Sequence, residues 1–263
     1  MLRELIRAGV KPDFLVGASA GAINAAYFAG APHAKGVDEL QALWSNIRRS
    51  DVMPFSLTSL LRILFRRQEH LVGNDGLRRL LQRSLGYPRI EDAPLPLHVV
   101  ASERVTGREV VLSNGPVVDA VLASSAIPGV FPPVAIGGVE LVDGGVCSNT
   151  PIAAAVRLGA TDVIVLPAGF ACALKAPPSG WIGQTLHALS LVVARQLVHD
   201  IERFAPQVRL CVVPALCPLE VSSYDYGQCA ALIERAADTT RSWLTSGGLR
   251  AIASPGPLLF HQH

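Results

Sequence analysis

The chain has 263 residues, half of them hydrophobic and 17% charged, with a formal net charge of +2. That balance suits one folded domain with a sizeable core, excludes a disordered chain, and gives no strong pull on nucleic acid, so no nucleic-acid partner is expected. The opening MLRELIRAGVKPD carries charges where a signal peptide needs an apolar run, and no stretch approaches the roughly 18 uncharged apolar residues of a spanning helix.

Leu2, Leu5 and Ile6 share one face of a short helix that Gly9 ends. DFLVG then reads as a buried strand and AGAINAAYFAG as a helix closed by Gly30. LHVVASERV and REVVLSNG form a strand pair joined at Thr106-Gly107. Residues 117 to 125 are helical in pattern, and Pro128, Pro132 and Pro133 keep the helix from continuing. VAIGGVELVDGG has the form of a strand, a Gly-Gly turn and a returning strand. Pro151 to Leu158 reads as a helix capped by Asn149 or Thr150, and ATDVIVLPA as a buried strand. Two longer helices are predicted, from about Trp181 to Phe204 and from about Gly227 to Leu244. Strands alternating with helices predict a three-layer α/β/α fold with a mostly parallel sheet. Residues 1–246 are expected to form the domain and 247–263 a C-terminal tail.

The stretch 48–89 differs in composition. Nine arginines (48, 49, 62, 66, 67, 78, 79, 83 and 89) interleave with Leu, Ile and Phe. Such a segment suits either peripheral contact with an anionic lipid surface or an ordinary solvated helix pair capped at Asp75 and Gly86.

Five cysteines form no CxxC pair and no Cys/His ligand cluster. Reduced thiols, no metal and a cytoplasmic location are expected, with room for a peripheral place at a membrane. No phosphate-binding glycine loop or dinucleotide fingerprint is present, so no cofactor is expected.

Chemistry concentrates in GASAGAINA. Gly17-Ala18-Ser19-Ala20-Gly21 is a G-x-S-x-G sequence placed where a strand ends and a helix begins. A nucleophilic serine on such a sharp turn needs small neighbours, which Gly17 and Gly21 supply, and a helix N-terminus pointing N–H groups toward its oxygen. A serine hydroxyl also needs a base within hydrogen-bond reach. Seven histidines are available (33, 70, 98, 187, 199, 261 and 263), none in a glycine-flanked turn. Asp143 ends an apolar strand and is followed by Gly144 and Gly145, which allow close backbone approach. Asp-Gly is equally a common hairpin pair, and spacing alone does not choose between the two.

With both motifs in view, the chain resembles the patatin-like phospholipases, which use a Ser–Asp dyad with the serine in G-x-S-x-G and the aspartate in D-G-G or D-G-A. VVASERVTGREVVLSNG, ASSAIPGVFPPV, LVDGGVCSNTPI and LGATDVIVL carry the likeness further, from about Leu2 to about Leu244. The resemblance implies the patatin α/β/α sandwich, hydrolysis of lipid acyl esters, Ser19 as nucleophile and Asp143 as base. It also implies a departure. The family's G-G-G-x-R/K-G oxyanion loop follows its first strand, and this sequence starts just downstream of that loop. The expectation is therefore a chain lacking the first strand and the loop, with impaired hydrolysis and Ala20 or Gly21 N–H as partial oxyanion donors.

Two other readings compete. One is an α/β-hydrolase triad of Ser19, Asp143 and His187 or His199, which have the right chain order but too few strands before the serine. The other is a catalytically inactive patatin-fold protein that binds lipid.

Overall fold

The computed structural model describes residues 1–47, 70–168, 172–174, 178, 180–220 and 226–250. Its elements run α1 (Leu2–Arg7), β1 (Leu15–Ala18), α2 (Ala20–Gly30), α3 (Ala34–Asn46), α4 (Asp75–Ser84), β2 (Leu97–Glu103), β3 (Glu109–Leu112), α5 (Val117–Ser124), β4 (Val134–Ile136), β5 (Val139–Asp143) and α6 (Gly145–Ser148). They continue as α7 (Ile152–Arg157), β6 (Asp162–Val165), α8 (Gly180–Phe204), β7 (Arg209–Val212) and α9 (Cys229–Thr245). No described helix is long and apolar enough to cross a membrane. These elements fall into two compact units, residues 12–151 and residues 1–11 with 152–263.

The unit of residues 12–151 is built on five strands in the order β1-β2-β5-β4, with β3 also on β2. β1 pairs with β2 in parallel, whereas β2–β3, β2–β5 and β4–β5 are antiparallel. The sheet is thus mixed: β2–β3 and β4–β5 are antiparallel through tight connections, whereas β2 and β5 are brought together with β3, α5 and β4 between them in the chain. One of these is Gly137-Gly138, where both residues have positive φ (60° and 80°), the backbone of a two-residue hairpin turn. The core packs α2 and α5 on the sheet through Ala22, Ala26, Val117 and Val121, against Leu97, Val99, Ala101 and Leu141, and α4 joins it through Leu77 and Leu81, packed on α5.

The same core takes up the leucines in the second half of the arginine-rich segment. Leu77 and Leu81 of α4 are buried in it, and Leu80 and Leu85 pack against it. Over residues 70–89 the leucines therefore face the protein, while Arg79 and Arg83 are exposed. Arg78 donates to Asp119 at 2.7 Å and Arg89 to Glu91. The helix starts at Asn74 and Asp75 and ends at Leu85, one residue before the expected Gly86. Residues 48–69, on which the lipid-surface expectation also rests, lie outside the described residues.

Two features of this unit have no counterpart in the sequence expectations. Helix α3 begins at His33, whose Nδ1 accepts the Gly36 N–H at 3.1 Å. Trp44 Nε1 ties it to α2 by donating to Asn24 Oδ1 at 2.6 Å. A helical turn, α6, comes directly after Asp143 and Gly144.

In the second unit β6 and β7 pair in parallel, and Ile152, Val165, Leu197, Val198, Ile201, Phe204 and Leu210 form its core. The two long helices lie within a residue or two of their expected bounds. Helix α1 is held to α9 by charge. The buried Glu4 carboxylate accepts from Arg3 Nε at 3.0 Å, Arg241 Nε at 3.2 Å and Arg7 at 3.4 Å. Arg3 in turn donates through both terminal nitrogens to the two oxygens of Glu234.

Candidate active site

The site grows from the strand that β1 and β5 share as a neighbour. Ala18 of β1 is level with Val100 of β2, and Ala101, one residue on, is level with Asp143 of β5. Ser19 leaves β1 on one flank of β2, and Asp143 ends β5 on the other. Their side chains close the distance beside the middle of β2: Ser19 Oγ donates to Asp143 Oδ2 at 2.7 Å.

Local backbone makes that reach possible. Ser19 has φ 54° and ψ −127°, the only positive φ outside glycine among the described residues. A side chain in that region costs on the order of 1–3 kcal/mol and is held only where the surroundings enforce it. The turn needs Gly17, because a Cβ there would come within 2.5 Å of the Gly21 carbonyl oxygen and 2.8 Å of Ala22 Cα. It does not need Gly21 for the same reason, since a Cβ on that exposed residue would meet nothing within 4 Å. On the other arm, a Cβ on Gly144 would lie 2.3 Å from the Val100 carbonyl oxygen and 3.0 Å from Ala18 Cβ. Gly144 thus lets the chain after β5 cross close over β2 toward β1. The Asp-Gly pair is a strand-to-helix crossing and not a hairpin.

Asp143 is 5% exposed. Burial drives its carboxyl pKa from the ordinary 3.8 to about 6, against the opposing hydrogen bonds from Ser19 and the Gly145 N–H. That N–H reaches Oδ1 at 2.7 Å, leaving Oδ2 for the serine. Behind the carboxylate, Ser102 Oγ donates to the Asp143 carbonyl at 2.9 Å and accepts the Cys147 N–H at 3.2 Å. At the serine, the backbone N–H goes to Ser124 Oγ at 2.9 Å, and Ser125 Oγ donates to the Ser19 carbonyl at 3.3 Å. Among the described residues no histidine bonds to Ser19 or Asp143, and no cluster of three His, Cys, Asp or Glu is placed to hold a metal ion.

A buried carboxylate of raised pKa accepts a bond from a serine on a strained strand–helix turn, a geometry in which a carboxylate can take a hydroxyl proton. Residues 1–156, more than half of the sequence, match the family described as Patatin-like phospholipase. The chain belongs to that family. Its α/β class and the three-layer α/β/α patatin fold accord with this membership. Among similar proteins, an uncharacterized NTE family protein of Mycobacterium bovis is 36% identical over 152 residues, covering 57% of this chain and 24% of its own length. A counterpart in Mycobacterium tuberculosis is 36% identical over 149 residues, with the same shares covered. A second M. bovis protein of the same description is 39% identical over 69 residues, covering 26% of this chain and 19% of its own length. The chain spans about a quarter of the length of the first two relatives.

Within this patatin-like chain the sequence motifs had singled out Ser19, Asp143 and their flanking glycines, and these come together. Ala20 and Gly21 open α2 beside the serine, both exposed. His187 and His199 lie on α8 in the other unit, where His199 faces Glu202. Ser102, Ser124 and Ser125 carried no signal of their own as site residues. Their only mark was the ASSAIPG and VVASERV segments in which they sit.

Proposed function

We propose that this chain hydrolyses acyl esters of lipids through a Ser19–Asp143 dyad. The 2.7 Å hydrogen bond from Ser19 Oγ to Asp143 Oδ2 carries this reading. Ser19 Oγ attacks the ester carbonyl as Asp143 takes its proton, and the tetrahedral intermediate expels the alcohol, which receives that proton. Water then attacks the resulting acyl-serine as the same carboxylate takes its proton, and that proton passes to Ser19 Oγ as the bond to the acyl group breaks and the fatty acid leaves. An aspartate is a weaker base than imidazole. Its pKa of about 6 brings it closer to the working pH while leaving it ionised at neutrality.

Charge on the carbonyl oxygen needs N–H donors. The Gly145 N–H is occupied by Asp143, and the Ser19 N–H by Ser124. Ala20, first residue of α2, is the donor we assign, assisted by the positive end of that 11-residue helix. The substrate is a phospholipid, lysophospholipid or neutral ester, and residues 1–246 form the hydrolase domain.

A fluorophosphonate probe tests the reading, since phosphorus bonds to Ser19 Oγ as fluoride leaves and Asp143 takes the proton. The parent chain is expected to label and to cleave p-nitrophenyl butyrate or a lysophospholipid, and Ser19→Ala to do neither. Every His→Ala variant keeps its activity under the dyad mechanism. A parent that neither labels nor hydrolyses overturns the hydrolase reading.

A further inference from the structure

The end of α5 and the residues after it touch both halves of the dyad. Ser124 is fully buried, and its hydroxyl is used twice: it accepts the Ser19 N–H at 2.9 Å and donates to the Val100 carbonyl at 2.6 Å. Its own carbonyl accepts the Gly144 N–H at 3.1 Å. Two residues on, the Ala126 carbonyl accepts the Asp143 N–H at 2.9 Å. Between them, Ser125 donates to the Ser19 carbonyl. Three consecutive residues thus bond to the backbone of the serine, of the aspartate, or of the glycine after it.

We propose that Ser124 is a positioning residue that holds the Ser19 turn in register with Asp143, its hydroxyl gripping the nucleophile's backbone while its carbonyl grips the residue after the base. The strain at Ser19 explains why a grip is needed. With φ at 54°, the conformation persists only where the surroundings enforce it, and the bond from its N–H to Ser124 is one such restraint. A buried hydroxyl that both accepts and donates is suited to this, because it references the turn to Val100, the same strand residue that Gly144 overlies. The Ser19 side chain is then left free to bond with Asp143 alone.

This inference rests on Ser19 being the nucleophile, and its test has one arm that needs no catalysis. In the 263-residue chain labelled with carboxyl-¹³C aspartate, the Asp143 resonance is identified by its loss in Asp143→Asn and titrated by NMR. Removing the serine hydroxyl in Ser19→Ala takes away a bond that favours the carboxylate, so the midpoint rises. Ser124→Ala is expected to move the Asp143 midpoint upward in the same sense, although residue 124 does not touch that carboxylate. It is also expected to slow fluorophosphonate labelling about 100-fold, the scale of a misplacement near 1 Å. Thr240→Ala is the control for stability, since Thr240 is an equally buried hydroxyl bonded within α9 to the Ala236 carbonyl. It should leave both midpoint and labelling rate unchanged. A Ser124→Ala chain with the parent's midpoint and rate overturns the proposal. If the parent does not label at all, the hydrolase reading falls alone, and the midpoint still decides the role of Ser124. Should Ser124→Ala fail to fold, Ser124→Cys takes its place, because sulfur is a weak acceptor for the Ser19 N–H. Parent-like behaviour there overturns the proposal equally.

Discussion

Asp143 works as a base only if it is ionised, yet its surroundings favour the acid. Burial raises its carboxyl pKa to about 6, and the bonds from Ser19 and the Gly145 N–H limit the rise. Labelling and hydrolysis should therefore climb as pH rises through about 6 and level off above it, measured as rate against pH. Stability runs the other way. The folded chain binds this proton more tightly than the unfolded chain, whose value is near 3.8. The contribution is complete below that value and is lost as pH rises through about 6. The gap corresponds to about 3 kcal/mol at about 1.36 kcal/mol per unit. Asp143→Asn should abolish labelling yet raise the unfolding free energy at about pH 8 by up to about 3 kcal/mol, with no gain at about pH 4, in denaturant titrations at both pH values. An equal gain in acid would mean that charge burial is not the cause.

At the level of elements, the join between β1 and α2 separates two glycines that look alike in the motif. Gly17→Ala places a methyl against the Gly21 carbonyl and Ala22 Cα, and should cost about 1–3 kcal/mol or more while displacing the start of α2. Gly21→Ala meets open space in a helix and should add up to about 1 kcal/mol. Chemical denaturation of both variants checks this, and equal effects would refute the assigned packing. The pairing of α1 with α9 depends on Glu4. Burial pushes its carboxyl up, but Arg241 and Arg3 outweigh burial, so its pKa is lowered overall. Its contribution is present above the ordinary value of 4.5 and disappears as pH falls below it. Glu4→Gln should cost about 1.5–3 kcal/mol at about pH 7, the range for hydrogen bonds to charged groups, and the gap from the parent should narrow below about pH 4 in thermal melts.

Across the whole chain, what the sequence discloses depends on how local the determining interaction is. The serine turn was legible because its requirements sit within one short motif, Gly17 to Gly21, between an apolar run and a helix. The aspartate was legible from DGG only as one of two options, because the crossing over β2 that makes Gly144 necessary involves Val100, far earlier in the chain. Ser124 was not legible as a site residue at all, since its side-chain partners lie 24 and 105 residues away. The mixed sheet has the same origin: strand direction is chosen by pairing partners that no short window contains. Helix α3 was legible in principle, with Val37, Leu40 and Trp44 at helical spacing, and β7 offered only four residues to read.

The shared place of β2 between β1 and β5 has a mechanical consequence. Ala18, just before the serine, and Asp143 pair with adjacent residues of one strand, Val100 and Ala101, so a displacement of that strand carries both ends of the dyad along together. Such common-mode motion cancels from the oxygen–oxygen separation. Among backbone motions, opposed sliding of the two flanking strands changes it, and Ser124 is bonded to the residue following each of them, Ser19 and Gly144.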